Sequence, residues 1–197
     1  MQVDLFAFLT FAVITSTSPG PNNISAMAFS MSMGYKRTLP YILGIVLGTF
    51  TVMFLCAWMS FALNEFVPSI TKYLKYIGAA YILYLAYKTY RVNYNADADD
   101  SVKPQFKDGM LLQLVNPKAI FYGMTVYSTF FASLVDHKLW LTISVLGLAT
   151  FTFITVSVWA GFGTVIKHYM TNERIKRAFS IVMVLGLIYA AYKILMV

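Results

Sequence analysis

Ser18-Pro19-Gly20-Pro21-Asn22-Asn23 interrupts the first long apolar segment, which runs from Leu5 to about Ser32. Two prolines two residues apart cannot both belong to one regular helix, because each removes a backbone donor and clashes with the preceding turn. Each also pushes the residue before it out of the helical region. Gly20, between them, accepts almost any backbone angle. The stretch therefore predicts a helix that stops near Ser18 and restarts near Asn22. At about 1.5 Å per residue, Pro19 lies roughly 20 Å from Leu5, close to mid-membrane. Irregular backbone at that depth is tolerated only where protein buries it or a watery cavity meets it. Broken helices of this kind form the binding sites of many secondary transporters. A kink that only shapes packing is the plainer reading; two prolines, a glycine and two amides in one run favour a site.

The rest of the chain is consistent with a membrane setting. Of 197 residues, 59% are hydrophobic and 12% are charged, where a soluble domain has about half and a quarter. This is the composition of an all-α integral membrane protein. The first segment does not read as a signal peptide: residues 1–10 hold no Lys or Arg, and Asp4 is acidic. The single cysteine, Cys56, excludes an internal disulfide and a thiolate metal cage, and reads as a packing residue. The net charge of +7 is distributed by topology and forms no basic stripe suited to nucleic acid.

Six segments are long enough to span, at about 20 residues each: 5–32, 40–63, 69–91, 109–134, 139–166 and 177–196. Pro40 suits the first turn of the second and Pro68 precedes the third. The polar stretch 93–107 divides the chain into a first three-helix unit, 1–92, and a second, 108–197. Lys36, Arg37, Lys88, Arg91, Lys103, Lys107, Lys167, Arg174, Lys176 and Arg177 fall on one side, against Lys72, Lys75, Lys138 and Lys193 on the other. The richer side is cytoplasmic by the positive-inside rule, which puts the 93–107 loop in the cytoplasm and both termini outside. Tyr35, Tyr41, Tyr73, Tyr76, Tyr90, Trp140 and Tyr169 lie near segment ends and read as interface anchors.

Helix 3 ends in Tyr84-Leu-Ala-Tyr87-Lys88 and helix 6 in Tyr189-Ala-Ala-Tyr192-Lys193. Three helices per unit make the two units oppositely oriented, an inverted-repeat architecture. Helix 4 carries Asn116-Pro117-Lys118 where the counterpart of the first break belongs, so helices 1 and 4 are both expected to be broken. Gly44 and Gly48, four apart, permit close helix approach, either within the chain or across a homodimer.

Lys118 lies about nine residues into helix 4. A lysine there costs about 2.5–3.5 kcal/mol on insertion scales and is either held in a cavity or snorkels to an interface. Asn22 and Asn23 are expected to cap the restarted half of helix 1, whose amides and positive dipole end favour an anion. With Lys118 opposite, both features converge on a carboxylate. Free carbonyls near Ser16, Thr17 and Ser18 would take an ammonium group, so the break suits an α-amino acid zwitterion. Asn116 and Gln113 are placed to answer carbonyls freed by Pro117. No acid lies at mid-membrane to pair with a cationic side chain, and neither His137 nor His168 has partners at metal-ligand spacing. No metal or cofactor is expected.

Taken together, the SPGPNNI stretch, the Gly44/Gly48 helix, GAAYILYLAYK at 78–88 and the helix-4 Asn-Pro-Lys resemble the LysE/RhtB amino-acid exporter family. The run VMFLCAWMSFAL at 52–63 looks closer to its cysteine/O-acetylserine exporter branch than to its lysine branch. The resemblance implies secondary export of a small neutral amino acid or derivative, such as cysteine, O-acetylserine, threonine or leucine, across a bacterial inner membrane. It supports site roles for Pro19, Gly20, Pro21, Asn22, Asn23, Asn116, Pro117 and Lys118. In that setting a proton is the expected driving ion, with Lys118 and Asp108 as the residues to carry it. A channel or uniporter is the alternative. A membrane-embedded enzyme is the weaker one, because the sequence offers no Ser/His/Asp set and no second cysteine.

Overall fold

The computed structural model describes residues 5–58, 76–77, 79–87, 89–90, 104–134, 136–169 and 173–196. Every regular element among them is helical: α1 (Leu5–Thr17), α2 (Pro21–Met33), α3 (Tyr35–Trp58), α4 (Phe106–Leu114), α5 (Pro117–Thr125), a π-helical turn (Val126–Phe130), a 3-10 turn (Ala132–Leu134), α6 (Lys138–Tyr169) and α7 (Glu173–Met196). Residues 79–87 belong to a further helix between α3 and α4. The expected features at Glu65, Pro68, Tyr73, Lys88, Arg91 and most of the 93–107 loop lie outside the described residues.

Both expected breaks are present. α1 stops at Thr17 and α2 restarts with Pro21 as its first residue. α4 stops at Leu114 and α5 restarts with Pro117, again first. Proline belongs there because the amide it lacks has no partner in a first turn and its fixed φ suits the helix. Among the described residues, α3 and the Lys138–Ile166 part of α6 are long and apolar enough to cross a membrane unaided; the two broken helices reach that length only as pairs of halves.

Three boundaries differ from expectation. α3 starts at Tyr35, so Pro40 sits inside its second turn instead of opening it. The cause is Gly34, which at φ 85° closes α2 with its N–H on the Ser30 carbonyl and lets the next helix begin at once. A left-handed residue of this kind favours glycine. The fourth segment begins at Phe106 instead of 109, inside the expected loop, because Gln105 and Asp108 form a reciprocal capping box. That segment also does not continue as one α-helix to 134 but passes through the π and 3-10 turns.

The helices pack around two apolar cores. One joins Ile24, Ala26 and Phe29 with Tyr41, Ile42 and Ile45, and with Leu112, Val156 and Ala160. The other joins Phe8 and Ala12 with Val52, Met53 and Cys56, and with Tyr122, Val126, Val145 and Leu148. The order in which each element meets them gives its direction. α1–α2 runs from the second core to the first; α3 runs from the first to the second; α4–α5 runs from the first to the second; α6 runs from the second to the first. Helices 1 and 4 therefore run antiparallel, as do α3 and α6. Tyr41 is not an interface anchor: it is fully buried in the first core, edge-on to Phe29, with its hydroxyl 2.7 Å from Ser25 Oγ.

Glycines set the closest approaches. A Cβ at Gly44 would run into the Phe106 carbonyl, and one at Gly109 into the Tyr41 carbonyl, so α3 and α4 touch backbone to backbone. Gly48 lies against Gln113 on the same seam. The small-xxx-small pair thus serves packing within the chain. Gly163 brings α6 equally close to the Met27 carbonyl of α2.

Candidate substrate site

Between the two cores lies a polar layer at the level of both breaks. It lines a small cavity with an open mouth. α1 contributes Thr15 and Ser16, the first break contributes Gly20 to Asn23, and α3 contributes Thr49. Gln113, Asn116, Lys118 and Tyr122 come from the two halves of helix 4, and Thr152 and Thr155 from α6.

Lys118 occupies the second position of α5 and its side chain crosses the cavity to the other broken helix. Its Nζ donates to Ser18 Oγ at 2.8 Å and to the Ser18 carbonyl at 3.3 Å. A lysine tied to the opposite break is held inside the protein and does not snorkel. Gly20 makes room for it: a Cβ there would lie 3.1 Å from Lys118 Nζ. The backbone of Gly20 is extended, at φ −158° and ψ 174°, so space, not backbone freedom, is what the glycine supplies.

The amides work differently from expectation. Gly20, not an asparagine, is the N-cap residue of α2, and Asn22 and Asn23 follow Pro21 inside the first turn. Asn22 Nδ2 donates across the cavity to Gln113 Oε1, and Gln113 Nε2 donates to Thr49 Oγ1 at 2.8 Å. Gln113 therefore links α2 to α3 instead of answering carbonyls freed by Pro117. Asn116 caps α5, accepting from the Lys118 amide at 3.1 Å, and its Nδ2 stands 3.5 Å from Asn22 Oδ1.

Asn23 turns back across the first break. Its Nδ2 donates to the Ser16 carbonyl at 2.8 Å and the Ser18 carbonyl at 3.1 Å. Trp159 Nε1 donates to the Thr17 carbonyl at 3.2 Å. The three carbonyls expected to be free all have donors, and a lysine ammonium stands where a ligand's ammonium was expected. The backbone amides of Asn22 and Asn23, by contrast, meet no acceptor among the described residues.

Pro19, Gly20, Pro21, Asn22, Asn23, Asn116, Pro117 and Lys118 thus belong to the two facing breaks; six of them line the cavity, and Pro117 starts the helix that carries Lys118. Asp108 does not join them. It caps α4 one side of the layer, accepting from the Gln105 amide at 2.9 Å, while its carbonyl accepts from the Tyr81 hydroxyl. Sequence reasoning missed Thr49, Tyr122, Thr152, Thr155 and Trp159. The signal available for them was weak: hydroxyls and an indole in apolar helices at the depth of the breaks.

Residues 13–196 match the family model for the LysE type translocator. The chain belongs to that family. This LysE-type chain is also 36% identical over 194 residues to a cysteine/O-acetylserine efflux protein of Salmonella paratyphi A, with 96% of each chain covered. It is 36% identical over 191 residues to the protein of the same name from Escherichia coli K12, again with 96% of each covered. No solved structure matches it. The resemblance carried by SPGPNNI and Asn-Pro-Lys is borne out, and the class of this LysE-type protein is membrane transport.

Proposed function

We propose that the chain is a secondary transporter that exports small neutral amino acids or their derivatives, of the kind named for its relatives, cysteine and O-acetylserine, with threonine as a further candidate. The observation that carries this reading is the Lys118 ammonium resting on Ser18 at the meeting of two broken helices. A zwitterion matches that pair with its charges reversed. Its carboxylate draws Lys118 off Ser18 and takes the unpartnered amides of Asn22 and Asn23, at a helix N-terminus suited to anions. Its ammonium then takes the Ser18 oxygens that Lys118 leaves. Among the described residues no acid lines the cavity, which leaves lysine and arginine side chains without a counter-charge from them.

The architecture proposed with this function is six spans in two inverted repeats, 1–92 and 108–197, joined by the cytoplasmic loop 93–107 in a bacterial inner membrane, with both termini outside. The antiparallel course of helices 1 and 4, and of α3 and α6, supports it. Export against a gradient requires a driving ion, and Lys118 is the residue proposed to exchange a proton as its partner changes; Asp108, committed to a helix cap, is the lesser candidate.

Purified protein in liposomes loaded with an amino-acid panel tests the reading. Counterflow of labelled cysteine, O-acetylserine or threonine, saturable and faster than that of lysine, is expected. Unsaturable flux without counterflow would indicate a channel, and a clear lysine preference would overturn the selectivity.

A further inference from the structure

Most threonine hydroxyls among the described residues bond a carbonyl one turn back, Thr49 and Thr155 of the cavity included. Those facing outward turn back on their own helices: Thr10 to the Phe6 carbonyl, Thr51 to Leu47, Thr125 to Phe121, Thr142 to Lys138 and Thr150 to Leu146, all within 3.0 Å. That is the ordinary behaviour of a hydroxyl in a helix, where its own preceding turn offers an acceptor. The cavity hydroxyls of Thr15, Ser16 and Thr152 do not do this; none of them donates to a carbonyl among the described residues. Tyr122 goes further. Its side chain is 8% exposed and its hydroxyl is buried without a partner in full hydrogen-bond geometry, with the Ser16 side chain as its polar neighbour. A buried hydroxyl left unpaired is costly, and Tyr122 lines the cavity.

These uncommitted groups come from three helices around the one cavity. Tyr122 follows Lys118 by four residues, so it lies on the same face of α5, about 6 Å further on. Ser16 precedes Ser18 by two residues on α1, and Thr152 lies on α6 between Leu148 of the second core and Val156 of the first. Three other lining groups, Asn22, Gln113 and Thr49, are bonded to one another. We infer that Tyr122, Ser16 and Thr152 form the subsite for the substrate's side chain, and that it selects small amino acids whose side chains carry a hydroxyl, ester or other hydrogen-bonding group over hydrocarbon side chains of equal size. The inference rests on the transporter reading, which sets the carboxylate at Lys118 and the ammonium at Ser18; the side chain then projects toward the second core, where the free hydroxyls are. A site whose polar groups need a partner rejects the isostere that lacks one, whereas an apolar pocket discriminates weakly.

Threonine and valine are isosteric and make the test. Both compete for counterflow in liposomes holding the parent protein, and threonine is expected to bind roughly tenfold better. In Tyr122→Phe and in Thr152→Val, each a near-isosteric change, that ratio is expected to fall to within about threefold, through loss of threonine affinity with valine affinity kept or improved. Thr150→Val, which removes a hydroxyl bonded to its own helix, is expected to keep the parent's ratio. Equal loss for threonine and valine in both cavity variants, or a parent that does not tell the two apart, overturns the subsite. A parent that counterflows neither, nor any other amino acid, fails the transporter reading instead, so the two failures are distinguishable.

Discussion

Replacing Lys118 with methionine removes the ammonium while keeping an unbranched apolar stem of similar reach. The free protein loses two contacts to Ser18, at 2.8 and 3.3 Å. The bound state loses a charge-assisted contact with a carboxylate, worth about 1.5–3 kcal/mol. The variant no longer has to pull an ammonium off Ser18, which returns about 1 kcal/mol. The difference, about 0.5–2 kcal/mol, weakens apparent affinity roughly two- to thirtyfold. The sharper readout is chemical. Parent protein is expected to bind threonine much better than threoninamide, which has no carboxylate, and Lys118→Met is expected to bind the two alike. Competition for counterflow gives both constants, and elution as a single species in detergent shows that the variant is folded. A well-folded Lys118→Met that still prefers threonine to the amide would refute the carboxylate assignment.

Three further outcomes follow from the geometry. Gly20→Ala is expected to fold, because the Gly20 backbone is extended and the added Cβ meets only the end of a flexible lysine at 3.1 Å; substrate KM should rise a fewfold, and an unchanged KM would mean that Lys118 need not occupy that place. Gly44→Ala and Gly109→Ala are expected to abolish recovery of folded protein, since each Cβ meets backbone, whereas Gly147→Ala, with open space around it, should melt like the parent. In a Cys56→Ala background, Arg37→Cys is expected to be shielded from impermeant thiol reagents in intact cells and labelled after permeabilisation; labelling in intact cells would reverse the orientation.

The positions of both breaks were legible because proline acts locally. Pro21 and Pro117 forbid continuation wherever the rest of the chain lies, and each duly opens a half-helix. The depth of Lys118 was legible for the same reason, since counting residues along a helix measures distance. What Lys118 would touch was not. The Ser16, Thr17 and Ser18 carbonyls were rightly expected at the end of a helix, but their donors come from Asn23, Trp159 and Lys118, and the last two are 142 and 100 residues away. Tyr41 misled because a tyrosine near a segment end has the same local signature whether it faces a headgroup or, as here, a serine one helix over. Asp108 was weighed as a carrier of protons from its type alone, while the backbone amide it caps is visible only once Gln105 is folded beside it.

The two halves of the first broken helix are held very unequally. α2 buries eleven of its 13 residues, and α1, of the same length, buries Phe8 and Ala12. α2 is also pinned by backbone contact at Gly163, while α1 leans on α5 and the π turn through rings, Phe11 on Tyr122 and Phe8 on Phe130 and Phe131. Rings that slide over one another yield gradually; interlocked backbones do not. A rod about 20 Å long, anchored at one end by the Asn23 bridge and loosely seated along its length, is mechanically compliant, and its partner is stiff. The two sides of the protein are therefore joined differently: by interlocked backbone where α2, α3 and α4 meet, and by ring contacts where α1 rests.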